Sequence, residues 1–82
     1  METKEEPYFP NLTPRREEVA KLVGACMSNK EIARALSISV LTVKMHLQEI
    51  FERLGIKNRS SLVAMVVRIE VTRELSKKSV AK

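Results

Sequence analysis

The placement of proline and glycine constrains this chain most. Its three prolines, Pro7, Pro10 and Pro14, all fall within the first 14 residues, and the glycines number two, Gly24 and Gly55. Proline removes a backbone N–H and clashes with the preceding helical turn, so a long stretch without it is free to be helical. The chain beyond Pro14 therefore reads as all-α. Residues 1–11 read as a flexible lead-in or linker, with one lysine (Lys4) against Glu2, Glu5 and Glu6. Its aromatics, Tyr8 and Phe9, either pack back on the domain or contact something outside it.

Cap residues and apolar spacing then divide the chain. Thr13 is an N-cap and Pro14 suits the first helical position, where its missing N–H costs nothing. Glu17 and Glu18 lie in the early turns, favourable to the helix dipole. Val19, Leu22, Val23 and Cys26 recur at helical spacing, which predicts a helix over 14–26. Ser28-Asn29-Lys30-Glu31 fits a capping box opening a helix over 29–36, with Ile32, Ala33 and Leu36 inward. Ser39 caps the next, where Val43, Leu47, Ile50 and Leu54 repeat at intervals of four, three and four. Gly55 suits the left-handed exit, so that helix spans 40–54. Asn58 caps a fourth helix over 59–74. It carries two apolar stripes: Leu62, Met65, Val66 and Ile69, then Val63, Val67 and Val71. A helix apolar on two sides of so small a domain calls for a second partner. The divisions are then 1–11, 12–74 and a basic, frayed tail over 75–82.

Composition narrows the function classes. The 82 residues suffice for one domain, and an apolar fraction of 44% supplies one core. Apolar runs fall well short of the roughly 18 residues a membrane helix needs, and METKEEP is no secretory signal. One cysteine forms no internal disulfide, which makes a reducing, cytoplasmic setting the default. One cysteine and one histidine are too few for a structural zinc site. Cys26 reads as a small buried hydrophobe, and His46, beside the core stripe, as a packing or capping residue. No carboxylate pair, phosphate loop or nucleophile with an oriented base is visible. The chain is therefore expected to be no enzyme and to hold no cofactor, metal or small-molecule ligand. The net charge of +5 hints at a polyanion partner, yet the last ten residues alone contribute Arg73, Lys77, Lys78 and Lys82 against Glu74.

The two middle helices carry the functional signal. A joint of about three residues, Ser37-Ile38-Ser39, makes them a helix-turn-helix. In a DNA-binding version the second helix enters the major groove with its N-terminal residues facing base edges. With Val43, Leu47, Ile50 and Leu54 inward, Leu41, Lys44, Met45, Gln48 and Glu52 point outward at roughly 100° per residue. Lys44 can donate to guanine, Gln48 has the geometry to pair with adenine, and Leu41 and Met45 can touch a thymine methyl. These four are the candidate base contacts. Candidate phosphate contacts flank them: Ser28, Asn29 and Lys30 at the start of the second helix, Thr42 beside the first turn of the third, and Lys57 and Arg59 beyond it.

These residues resemble the LuxR-type, or GerE-like, DNA-binding domain. The resemblance runs through Leu12-Thr13-Pro14-Arg15, Glu18-Val19, Ser28-Asn29-Lys30-Glu31-Ile32-Ala33, Thr42-Val43-Lys44-Met45-His46 and Leu54-Gly55-Ile56-Lys57-Asn58-Arg59. It covers residues 11–68 with the motifs in order. It implies a four-helix fold without a winged helix, as in the output domains of NarL/FixJ-type response regulators. It implies that Lys44, Met45 and Gln48 face bases and that Lys30, Thr42, Lys57 and Arg59 lie near phosphates. It also implies a homodimer through the fourth helix, at Val63, Val67 and Val71, on two half-sites of double-stranded DNA, recruiting or blocking RNA polymerase. Four places depart from the pattern: Arg16 for Glu, Cys26 for Gly, Val40-Leu41 for a polar pair, and Ser61 for Glu. The rival reading is a helical protein-interaction module, an anti-activator or polymerase-binding domain without base readout. Lys44 and Gln48, which interrupt the apolar outer patch, count against it.

Overall fold

The computed structural model describes residues 6–80, with side chains through 77. Four helices follow in order: α1 (Pro14–Gly24), α2 (Asn29–Leu36), α3 (Val40–Leu54) and α4 (Arg59–Val80). The described residues contain no strand.

Each helix opens on a side-chain oxygen that satisfies an orphan N–H. Thr13, Ser28 and Ser39 accept from the N–H of Arg16, Glu31 and Thr42, and Asn58 Oδ1 accepts from Ser61 N–H at 2.9 Å. At α2 the box closes, because Glu31 Oε1 accepts from Ser28 N–H at 2.8 Å. At α1 it stays half made, since Arg16 offers no returning carboxylate.

The first three helices end alike. Cys26, Ser37 and Gly55 take positive φ angles of 66°, 58° and 69°. The next amide then reaches back over six residues: Met27 N–H to Leu22 O, Ile38 N–H to Ala33 O and Ile56 N–H to Phe51 O. This is the Schellman closure, and it satisfies carbonyls that a helix end otherwise leaves open. It corrects the expected bounds of α1. The left-handed turn at Cys26 takes the chain out of the helix after Gly24, two residues before the predicted end. It also corrects the reading of Cys26, which the turn leaves exposed rather than buried.

α4 runs to Val80, beyond the predicted 74. No proline or glycine stops it, and Glu74, Leu75 and Lys77 are good helix formers. The helix thus extends into the expected tail, as far as Val80. Residues 1–5 of the expected lead-in, and 81–82 of the tail, lie outside the described residues.

Val19, Val23, Ile32, Val43, Ile50, Leu62 and Val66 are fully buried and join all four helices. α1 lies against α4 so closely that a Cβ on Gly24 would sit 2.6 Å from Val66 Cβ. Packing begins before α1. Phe9 is part of the core, and the backbone N–H groups of Tyr8 and Phe9 donate to Glu17 at 2.8 and 3.0 Å. Residues 6–11 of the expected lead-in thus lie against the helices.

Candidate nucleic-acid interface

The left-handed turn at Ser37 swings the chain from α2 into α3, and Ser39 starts α3 at once. Val43, Leu47 and Ile50 bury the inner face of α3 against the core. Leu41, Lys44, Met45 and Gln48 are all exposed on the outer face, as their spacing predicts. Leu41 and Met45 stand out: 67% and 63% of their surfaces remain exposed, on a helix whose other large apolar residues are covered. Neither contributes to the core. The outer face therefore offers an ammonium, a primary amide and two apolar groups within two helical turns. That set suits a surface carrying hydrogen-bond acceptors and methyl groups side by side.

The candidate phosphate contacts divide into three groups. Lys30 and Lys57 are exposed. Ser28 and Thr42 are partly committed: Ser28 Oγ accepts from Glu31 N–H at 3.1 Å, and Thr42 Oγ1 lies 2.9 Å from Ser39 Oγ. Asn29 and Arg59 are brought together instead of apart. Arg59 Nη1 donates to Asn29 Oδ1 at 2.8 Å, and its Nη2 donates to Met27 O at 2.6 Å. Arg59 thus ties the start of α4 to the start of α2. This clamp was not legible in the sequence, because the two residues lie 30 positions apart.

His46, on α3, is half-buried. Burial holds its imidazole below its ordinary pKa of 6.5, and the charges of Arg16 and Arg15 add to the effect. Nε of Arg16 is buried without a hydrogen-bond partner among the described residues. On α4, Val63 is half-buried, while Val67 and Val71 are exposed. Leu75, four residues further on, extends this ridge with 59% of its surface exposed. The period of four points to Leu75, but the tail reading hid it. Among the described residues no three His, Cys, Asp or Glu side chains cluster as metal ligands, and no helix is long and apolar enough to cross a membrane.

Comparison with known proteins gives the same outline. The chain is 39% identical over 69 residues to the spore germination protein GerE of Bacillus subtilis (strain 168), covering 84% of this chain and 93% of that protein. It is 45% identical over 56 residues to YhjB of Escherichia coli (strain K12), covering 68% of this chain and 28% of YhjB. It is 43% identical over 53 residues to the CsgBAC operon transcriptional regulatory protein of the same organism, covering 65% of this chain and 24% of that one. The chain thus spans under a third of the length of the latter two and nearly all of the first. Residues 10–66 match the family described as bacterial regulatory proteins, luxR family. With its capped four-helix architecture and an α2–α3 helix-turn-helix, this chain belongs to the luxR family of bacterial regulatory proteins.

Proposed function

We propose that this chain binds double-stranded DNA sequence-specifically as part of a bacterial transcription regulator. α3 enters the major groove, and Leu41, Lys44, Met45 and Gln48 meet base edges. Lys30 and Lys57 neutralise phosphates, with the exposed hydroxyl of Ser28 beside them. Thr42, Asn29 and Arg59 flank that rim, Arg59 by holding the turn before α2 in place. Two copies associate through Val63, Val67 and Val71 and engage two half-sites, from which they recruit or block RNA polymerase. Binding of this kind involves no covalent step. It belongs in the bacterial cytoplasm, where promoters are.

The observation that carries this reading is the outer face of α3. It presents Lys44 and Gln48 beside two exposed apolar side chains, with no acidic residue of α3 before Glu49. The test is fluorescence anisotropy on a site selected from a random DNA pool, and on scrambled DNA, across a salt series. Each lysine–phosphate contact contributes a slope of about −0.9 in log K against log salt. Lys44→Ala is expected to weaken binding to the selected site by about 1–3 kcal/mol while binding to scrambled DNA falls far less. Equal binding of that variant and the parent to the selected site would show that α3 does not read bases. A chain that selects no sequence at all would favour the protein-interaction module.

A further inference from the structure

We infer that residues 6–9 act as a splint for the second half of α4, and that Tyr8 and Arg73 are positioning residues for the ridge Val67, Val71 and Leu75. The link to self-association rests on the dimer reading above; the splint itself does not.

α4 has 22 residues, a length of about 33 Å. Only its first half rests on the core. Leu62 and Val66 are fully buried, and Ile69 is the last residue packed against the cluster. From 70 to 77 every residue is exposed except Arg73. Helices draw most of their stability from a packed face, so this half needs support from elsewhere.

The N-terminal segment supplies it through one side chain. Arg73 Nη2 donates to Glu6 O at 2.7 Å and to Pro7 O at 3.2 Å. The same guanidinium lies 4.6 Å from the centre of the Tyr8 ring, over which Lys21 Nζ also lies, at 4.4 Å. Tyr8 Oη adds a weak donation to Glu70 at 3.4 Å. The segment is firm enough to support a helix because it is fixed at its other end. Glu17 accepts from two successive amides, and Phe9 is sunk in the core. Arg73 therefore connects the exposed half of α4 to the α1 side of the domain.

The geometry leaves the ridge free while its back is held. At 100° per residue, Arg73 lies about 160° from both Val71 and Leu75 around the axis. Val67, Val71 and Leu75, at intervals of four, all remain exposed. A helix held straight before association loses less freedom on pairing. The segment therefore sets how strongly the ridge self-associates without itself touching the partner copy.

The test uses the full chain. Hydrogen exchange is followed at 70–77, with 43–50 in α3 reporting global opening, and sedimentation equilibrium measures self-association. Arg73→Ala removes the guanidinium while keeping a strong helix former. Tyr8→Ala removes the ring, and Arg68→Ala, an exposed arginine of the same helix, controls for lost charge. Exchange at 70–77 is expected to rise about tenfold in Arg73→Ala and Tyr8→Ala, without a matching rise at 43–50 and without change in Arg68→Ala. The dimer dissociation constant should rise by a similar factor, and Arg73→Lys should recover part of both. Exchange at 70–77 equal to that of Arg68→Ala in both variants would overturn the splint. Faster exchange with unchanged self-association would overturn its link to the ridge. A parent chain that stays monomeric at every concentration, with and without DNA, would defeat the dimer reading and that link with it, leaving exchange to decide the splint.

Discussion

Glu17→Gln is the sharpest test of how the start of this domain is held. Glu17 is the one buried charged residue among the described residues. Both its oxygens are used: Oε2 accepts from Tyr8 N–H at 2.8 Å and Oε1 from Phe9 N–H at 3.0 Å. Lys21 Nζ adds a long ion pair at 3.8 Å. Glutamine matches the shape but keeps one acceptor, so its amide N–H₂ must face a backbone N–H. A hydrogen bond to a charged group is worth about 1.5–3 kcal/mol, and a buried donor left unpaired costs about 1–3 kcal/mol. The two figures describe the same event, so they overlap rather than add. The Tyr8 bond is only part-buried, whereas the Phe9 bond is buried, which places the loss near the middle, at about 2 kcal/mol. In a domain of this size about 1 kcal/mol shifts the melting point by roughly 4–8 °C, so Glu17→Gln should melt roughly 8–16 °C lower. Thermal unfolding by circular dichroism measures this. Glu18→Gln is the control: Glu18 pairs with Arg15 on the surface, and its loss should stay within about 0.5 kcal/mol. If Glu17→Gln melts with Glu18→Gln, the carboxylate does not anchor residues 8 and 9.

Three further outcomes follow from the same structure. Cys26→Gly should stabilise the fold by about 0.5–1 kcal/mol by relieving a Cβ at positive φ, whereas Cys26→Ala, which keeps the Cβ, should not; urea denaturation separates them. Val67→Asp should abolish self-association in sedimentation at high concentration with helicity unchanged, and an unchanged sedimentation profile would refute the dimer ridge. His46 makes stability fall with acidity. Its imidazole is held below 6.5 in the fold, so near and below that pH the unfolded chain binds more protons and gains on the folded one. Stability present above the unfolded value is thus lost as the pH falls through it, and His46→Gln should flatten that limb of the melting-point profile.

What the sequence shows of this fold is whatever depends on near neighbours. N-caps act over three residues and helical stripes over four, so Thr13, Ser28, Ser39 and Asn58 mark real helix starts. The outer face of α3 follows for the same reason: once Val43, Leu47 and Ile50 point inward, Lys44 and Gln48 have nowhere else to go. What escapes is what joins distant positions. Nothing local says that Glu17 will be spent on two amides, that Arg59 will bridge to Met27 and Asn29, or that Arg73 will reach Glu6 and Pro7. From the sequence Glu17 looks like a first-turn charge that favours the helix dipole, Arg59 like a phosphate contact and Arg73 like one charge of a basic C-terminal end. The misplaced end of α1 has a different cause. Cys26 continues the apolar spacing of Val19, Leu22 and Val23, and spacing cannot reveal that its backbone turns left-handed.

The departures from the family pattern separate scaffold from specificity. At Arg16, Cys26 and Ser61 the hydrogen bonds that involve only the backbone amide are kept, although α1 lacks the returning carboxylate of a full capping box. Thr13 Oγ1 still accepts from Arg16 N–H, Met27 N–H still closes on Leu22 O, and Asn58 Oδ1 still accepts from Ser61 N–H. Those hydrogen bonds need an amide at the right place, not a particular side chain, so the substitutions cost fractions of the fold and leave its geometry intact. Leu41 has no such substitute. It is no member of the buried core, and 67% of its surface stays exposed. Whatever an apolar group gains there in place of a polar one, it gains outside the molecule. The fold is therefore carried by features that many sequences could supply, while the proposed reading places the choice of partner in a few exposed side chains on α3.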